Sequence, residues 1–309
     1  MDLQILEIVK NLPIFRENSQ ELIKIAPSVE RENIEEPQEK KHTVSQREIE
    51  IIPLIEGKTS KFLINHGQGK YLLNIASMDA KRELDVWLKM TEKGLSIYRP
   101  DIYYIDPSFL FTISQFYEGY TRIDKMNLSL VDKEIISRHL LQFNKDFHKI
   151  TSNEFHLKAI MQNAFADEIA IFRKEDTLSE EEASTILSFV NHTDFGNVAT
   201  YNHQNLSMEN ILYNQETKDL KVVHMKQAKY GVPIYDYVYM FKTIDKEISQ
   251  VFLPLIKEAD PKVVQAVSLL CDMKIYHKDK GKKGNTQMDL ENIHTQISVL
   301  KEQISNFKR

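Results

Sequence analysis

The sequence predicts an α+β chain of two lobes, an antiparallel five-stranded sheet carrying one helix and then a mostly helical lobe. Three observations carry that expectation. Between residues 49 and 118 the apolar residues come in short, strand-length runs broken once by a helical stretch. After Gly119 they recur at helical spacing over long segments. Near residues 206–223 a pair of short strand-like runs interrupts the helices.

Residues 1–27 carry a short helical pattern, and 29–48 (VERENIEEPQEKKHTVSQRE) are dense in charge with almost no apolar anchor. We read 1–48 as a helical and charged leader, its second half a mobile connection or a solvated helix face. Strands are expected at 49–55, 61–65, 70–75, 102–105 and 110–116, with a hairpin turn at His66-Gly67-Gln68-Gly69. A helix is expected over 80–93, with Leu84, Val86, Trp87 and Leu88 as its buried stripe and Gly94 as its C-cap. Lobe one is thus 49–118. The second lobe, 119–309, should hold helices at 131–150, 154–173 and 179–191. Strands NILYN and LKVVH follow, then a helical stretch over 235–274 interrupted at Pro254 and Pro261. Lys278–Asn285 (KDKGKKGN) reads as an exposed, flexible basic loop. The last helix, within 288–309, lines up Leu290, Ile293, Ile297, Leu300, Ile304 and Phe307 on one seam.

Composition excludes several classes. With 42% hydrophobic residues the 309-residue chain can bury a core, and 28% charge speaks against a membrane protein. No apolar run approaches the roughly 18–20 residues of a membrane span. A net charge of −5 argues against a dedicated nucleic-acid binder. The single Cys271 excludes an internal disulfide and a cysteine-based zinc motif. The N-terminus lacks a signal-peptide pattern, so a cytoplasmic location is expected. Gly57-Lys58-Thr59 resembles the end of a phosphate-binding loop, but Ile52 stands where that motif needs its first glycine. Gly67-x-Gly69 lacks a third glycine, Leu72 standing in its place.

One stretch stands apart: Tyr201-Asn202-His203-Gln204-Asn205-Leu206-Ser207-Met208-Glu209-Asn210-Ile211-Leu212, followed by a strand pair and VPIYDYVYM. It resembles the catalytic region of aminoglycoside phosphotransferases and choline kinases, small-molecule kinases with the bilobal protein-kinase-like fold. Their loop reads His-x-Asp-x-x-x-x-Asn, then a strand ending in a magnesium-holding Asp, then a Pro-x-x-Asp helix start. The frame here is His203, Asn205, Asn210, His224, Pro233 and Asp236. Upstream, IIPLIEGKTSKFLIN is similar to the family's phosphate-covering hairpin, placing Lys58, Thr59 and Ser60 there. KYLLNIA is similar to the strand bearing the phosphate-binding cation, and RELDVWLKMTEKGL to the helix bearing its partner, Glu83. FTISQFYEGY resembles the hinge, with Gln115 and Tyr117 toward the adenine, and LLQFNKDFHKI the helix ending in Leu-x-x-Leu-His. The matches run in order from about residue 49 to 245.

The resemblance implies ATP and magnesium as cofactors, but the charged positions have changed. Asn74 stands where the cation belongs, Asn205 where the catalytic Asp belongs, and His224 where the magnesium Asp belongs. Phosphoryl transfer rests on positioning and charge neutralisation. An amide is no base near neutral pH, and an imidazole is a poor magnesium ligand. Three readings follow. The leading one is a catalytically degenerate, pseudokinase-like binding or regulatory module in which ATP binding is weak or absent. The second is an active phosphotransferase with relocated charges, Lys58 or Lys61 replacing the lost cation. The third is a structural or scaffold protein assembled with a protein partner, or with itself, through the C-terminal helix. A small-molecule ligand is expected in the first two. Plain structural readings stand beside these: His203 as a bonded buried histidine, Asn205 and Asn210 as loop asparagines, Gln115 and Tyr117 as a strand end, Glu83 facing away from any site, and His224 holding no metal.

Overall fold

The computed structural model describes Val9, Leu12 and residues 49–54, 61–66, 69–75, 78–108, 111–280 and 286–307. Lys58, Thr59 and Ser60, the turn at 67–68 and most of the 1–48 leader lie outside them. The chain divides into two compact units: residues 1–88 with 99–119, and residues 89–98 with 120–309.

In the first unit, β1 (Ile49–Pro53), β2 (Lys61–His66), β3 (Gly69–Ile75), β4 (Ile102–Ile105) and β5 (Phe111–Gln115) form an antiparallel sheet in the order β1-β2-β3-β5-β4. Its side chains alternate between faces. On one face Phe62, Ile64, Leu73, Phe111 and Ile113 are buried and cluster with Val9 and Leu12. The other face carries a polar row in which Lys61 and Thr112 flank Asn74 as direct cross-strand partners.

The helix Met78–Glu92 buries Leu84, Val86, Trp87 and Met90, whereas Leu88 is 47% exposed. This corrects the sequence-derived stripe: at 3.6 residues per turn Met90, not Leu88, falls one turn beyond Val86 and Trp87. Gly94 ends the helix at φ +72°, with Leu95 N–H donating to Met90 O (2.8 Å) and Gly94 N–H to Thr91 O (3.0 Å). That pair of bonds is a Schellman cap. A Cβ at Gly94 would meet nothing within 4 Å, so only backbone strain opposes a side chain there. Gly94→Ala is expected to lower stability by about 1 kcal/mol, read from the urea midpoint at unchanged slope.

Residues 89–98 belong with the helical unit, although the sequence reading placed them in the sheet lobe. Tyr98 donates to Asp146 Oδ2 (2.7 Å), and Lys221 Nζ to the Ile97 carbonyl (3.0 Å). Such contacts span over forty residues of sequence and leave no periodic signal.

The second unit opens with the strand β6 (Thr121–Arg122) and the helix Leu130–Phe147, which Ser129 caps through Asp132 N–H. A short strand β7 (Thr151–Ser152) and the helix Leu157–Lys174 follow; then comes Glu180–His192, opened by a capping box between Ser179 and Glu182. Strands β8 (Ala199–Asn202), β9 (Ile211–Tyr213), β10 (Leu220–Val222) and β11 (Lys229–Gly231) complete two small sheets, ordered β10-β9-β6 and β11-β8-β7. Four helices then occupy Tyr235–Thr243, Lys246–Ser249, Leu253–Glu258 and Pro261–Asp279, the last two with proline in their first turn, where its missing N–H costs nothing.

One expectation on the C-terminal side changes. The Pro261–Asp279 helix runs five residues past Lys274, so Lys278 is helical rather than part of an exposed loop; residues 281–285 lie outside the described ones. The final helix, Thr286–Phe307, packs on its own unit, against Glu180–His192 and Pro261–Asp279. Ile293, Ile297 and Leu300 are buried in that core, and Leu290 and Ile304 pack on its edge. Among the described residues no helix is long and apolar enough to cross a membrane.

Candidate functional site

The site in the helical unit begins where β8 ends. All four residues of β8 are buried, so the chain leaves it at His203 with no solvent to satisfy its backbone. Asp236, in the first turn of the Tyr235–Thr243 helix, supplies the acceptors. Its two carboxylate oxygens take the N–H groups of His203 (2.6 Å) and Gln204 (3.0 Å). Burial pushes this carboxyl up to about 7, and the two backbone donors, which favour the ionised form, only partly oppose it.

His203 is itself fully buried. Its Nε2 lies 3.0 Å from the Val223 carbonyl, which can only accept, so Nε2 carries the proton and Nδ1 accepts Asn205 N–H at 3.3 Å. Burial depresses its pKa to about 4, keeping the ring neutral. The loop closes on Asn210, whose Nδ2 donates to the Asn205 carbonyl (2.7 Å), while the Asn210 carbonyl accepts Val223 N–H (2.9 Å). Val223 therefore ties the end of β10 to both His203 and Asn210. It sets down His224 as the next residue, exposed and left-handed at φ 62°. Gln204 is also left-handed, at φ 66°. Two non-glycine residues in that region mark a loop whose path is imposed by its surroundings.

Asn205 is half-buried, and its Oδ1 accepts from two groups, Tyr239 Oη (2.9 Å) and Lys278 Nζ (3.2 Å). Lys278 also donates to Ser207 Oγ (3.2 Å) and pairs with Glu209. A lysine that reads as part of a solvated Lys/Gly run is thus anchored in the candidate catalytic loop. The sequence held no signal for it beyond its place one helical turn after Lys274. Tyr239 was missed as well, hidden in an aromatic run that reads as core.

The residues matched in the first unit stand as follows. Asn74 is buried on β3 between Lys61 and Thr112. Glu83 is half-buried on the Met78–Glu92 helix. Gln115 ends β5 with both its backbone N–H (2.8 Å) and its side-chain oxygen (3.4 Å) engaged by Asp101, and Tyr117 follows half-buried.

The structure thus gathers His203, Asn205, Asn210 and His224 around Val223 and Asp236. Magnesium would need hard oxygen donors there. Asn210 offers an amide oxygen, while His224 offers only nitrogen, and Asn205 Oδ1 already accepts from a cation. No group of three or more His, Cys, Asp or Glu among the described residues could hold a metal ion. The donor set does not fit magnesium.

No protein-family model matches the sequence, and a search of curated proteins finds no match. Solved structures do match in fold. The aminoglycoside phosphotransferase APH(2")-IIa, in its ternary complex with streptomycin and ATP, aligns at TM-score 0.58 and 16% identity over 96% of both chains. A putative aminoglycoside phosphotransferase from Ralstonia eutropha aligns at TM-score 0.58 and 11% identity, over 84% of this chain and 94% of that one. Choline kinase LicA from Streptococcus pneumoniae aligns at TM-score 0.55 and 11% identity, over 82% and 94%. The chain has the bilobal kinase-like fold of these phosphotransferases.

Proposed function

We propose that this protein is a kinase-fold binding module that does not transfer phosphate. The observation that carries the reading is Asn205. At the position matching the family's catalytic aspartate stands an amide whose oxygen is bonded by Tyr239 and by the Lys278 ammonium. That oxygen cannot take a proton from a substrate hydroxyl near neutral pH. Asn74 and His224, at the phosphate and metal positions, point the same way. What remains is the bracing, His203, Asn210 and Asp236, which holds the loop without performing the chemistry.

Calorimetric titration with ATP, with and without magnesium, tests this directly. We expect no magnesium-enhanced affinity and no transfer to added alcohols; a micromolar, magnesium-enhanced Kd would overturn the reading. Asn205→Asp alone should restore no turnover, because the new carboxylate would pair with Lys278. Groups that act as a unit are also restored only together.

A second reading, an active phosphotransferase with a relocated cation, is favoured by one observation. Lys61 is the direct cross-strand partner of Asn74, and directly opposed residues share a face of the sheet. Were ATP to bind, Lys61→Met abolishing that binding would select this second reading.

A further inference from the structure

A cavity of about 390 Å³ opens in the helical unit beside β8 and β11. Its aromatic wall is continuous. Phe155 stacks on Tyr230 (centroids 4.5 Å apart, planes at 24°), and Tyr230 meets the edge of Tyr201 (4.9 Å, 84°), its register partner across β8 and β11. Ile160 and Ala164, from the Leu157–Lys174 helix, extend the apolar surface. The volume lies within the usual range for small-molecule sites, and apolar walls with a few polar groups are their usual lining.

The charges decide what fits. Lys89 holds its ammonium 5.0 Å from the Tyr201 ring centre and 5.5 Å from that of Tyr230. The seat an aromatic wall offers to a ligand cation is therefore already filled by the protein's own cation. Lys229 adds a second positive charge to the lining, against a single carboxylate, Asp167. An incoming cation would have to displace Lys89 and then sit near Lys229. An incoming anion meets two ammonium groups, lays its ring along Phe155 and Tyr230, and leaves Asp167 and Asn163 to take a hydroxyl or amino donor. We infer that this cavity is a binding site for a small monoanionic aromatic acid carrying a hydrogen-bond donor. β8 leads directly into His203, so a ligand held here sits at the root of the candidate loop along the chain.

The site stands whether or not the loop transfers phosphate, and its test avoids nucleotides. The full chain is titrated, by ligand-observed NMR, with 4-hydroxybenzoate, with its neutral isostere 4-hydroxybenzamide, and with choline as a quaternary ammonium. The acid is expected to saturate with a Kd about tenfold or more below that of the amide, and choline not to displace it. Lys229→Glu should weaken the acid about tenfold while leaving the melting temperature unchanged, since Lys229 is exposed. Lys89→Met should weaken the acid and open the aromatic seat to choline. Equal binding of acid and amide, no saturation by the acid, displacement by choline in the unaltered chain, or full affinity in Lys229→Glu would each overturn the assignment. An ATP titration of the same variants reads the phosphotransfer question separately.

Discussion

Cutting the chain after Lys280 is expected to abolish the folded helical unit. The cut removes the Thr286–Phe307 helix, whose Ile293, Ile297 and Leu300 are buried against Glu180–His192 and Pro261–Asp279. Each such side chain contributes about 2 kcal/mol by leaving water, so three approach the whole stability of a domain, about 5–15 kcal/mol. The facing surface is bared in the same step. The polar clasps, His294 to Glu182 (2.5 Å), Lys301 to Glu181 (2.5 Å) and Gln296 to Asp272 (2.7 Å), lie nearer solvent and add little. The truncated chain should therefore aggregate or bind a hydrophobic dye with loss of near-ultraviolet dichroism. A truncated chain that stays monomeric with an unchanged melting temperature would show that the seam is not part of the core. A truncated chain of unchanged stability that passes from dimer to monomer would mark the helix as an assembly device.

The second large effect lies at Asp236. Asp236→Ala leaves the His203 and Gln204 N–H groups buried without acceptors, at about 1–3 kcal/mol each. A loss of about 3–5 kcal/mol in chemical denaturation is expected. The pH dependence carries a sharper signature. Burial holds Asp236 up at about 7 against an ordinary 3.8, so its contribution to stability declines as pH rises across that window. Burial holds His203, and His148 at the C-cap of the Leu130–Phe147 helix, down at about 4 against 6.5, so their contribution rises with pH across that window. Between pH 5 and 7 the two histidines outweigh the one carboxylate, and stability should climb gently and level near neutrality. Asp236→Ala removes the opposing contribution, so the climb should steepen about twofold over pH 5–6. A variant whose stability is flat or falling over that range would refute the burial account of the two histidines, and one that climbs no more steeply than the unaltered chain would refute that of Asp236.

Much of this was legible in the sequence, for reasons that differ from element to element. The five sheet strands and the helix between them announced themselves because apolar residues gather mainly on one face of each, which prints an alternating or helical period on the residues even in β5, where both faces are buried. Asn74, Asn205 and His224 needed no structure either, since the ability to carry charge or bind magnesium belongs to the side chain itself. β8, by contrast, is buried along its whole length, so Ala199–Asn202 shows no alternation to read. Leu88 lies one turn beyond Leu84 and Met90 one turn beyond Val86 and Trp87, so the period allows both, and only what the helix packs against leaves Leu88 exposed and Met90 buried.

The final seam was visible in the sequence, but which helices it covers was not. Lys278 is the clearest divide. Its neighbours make it look solvated, and only the approach of a helix to a loop seventy-three residues earlier sets its ammonium on Asn205. The aromatic cavity, with its two lysines and one aspartate, is likewise assembled from segments near residues 89, 155–167, 201 and 229–230. Sequence fixes which chemical groups a chain owns and the local periods on which they lie. Which of them meet is decided by long-range packing, whose partners are too far apart along the chain to leave a pattern.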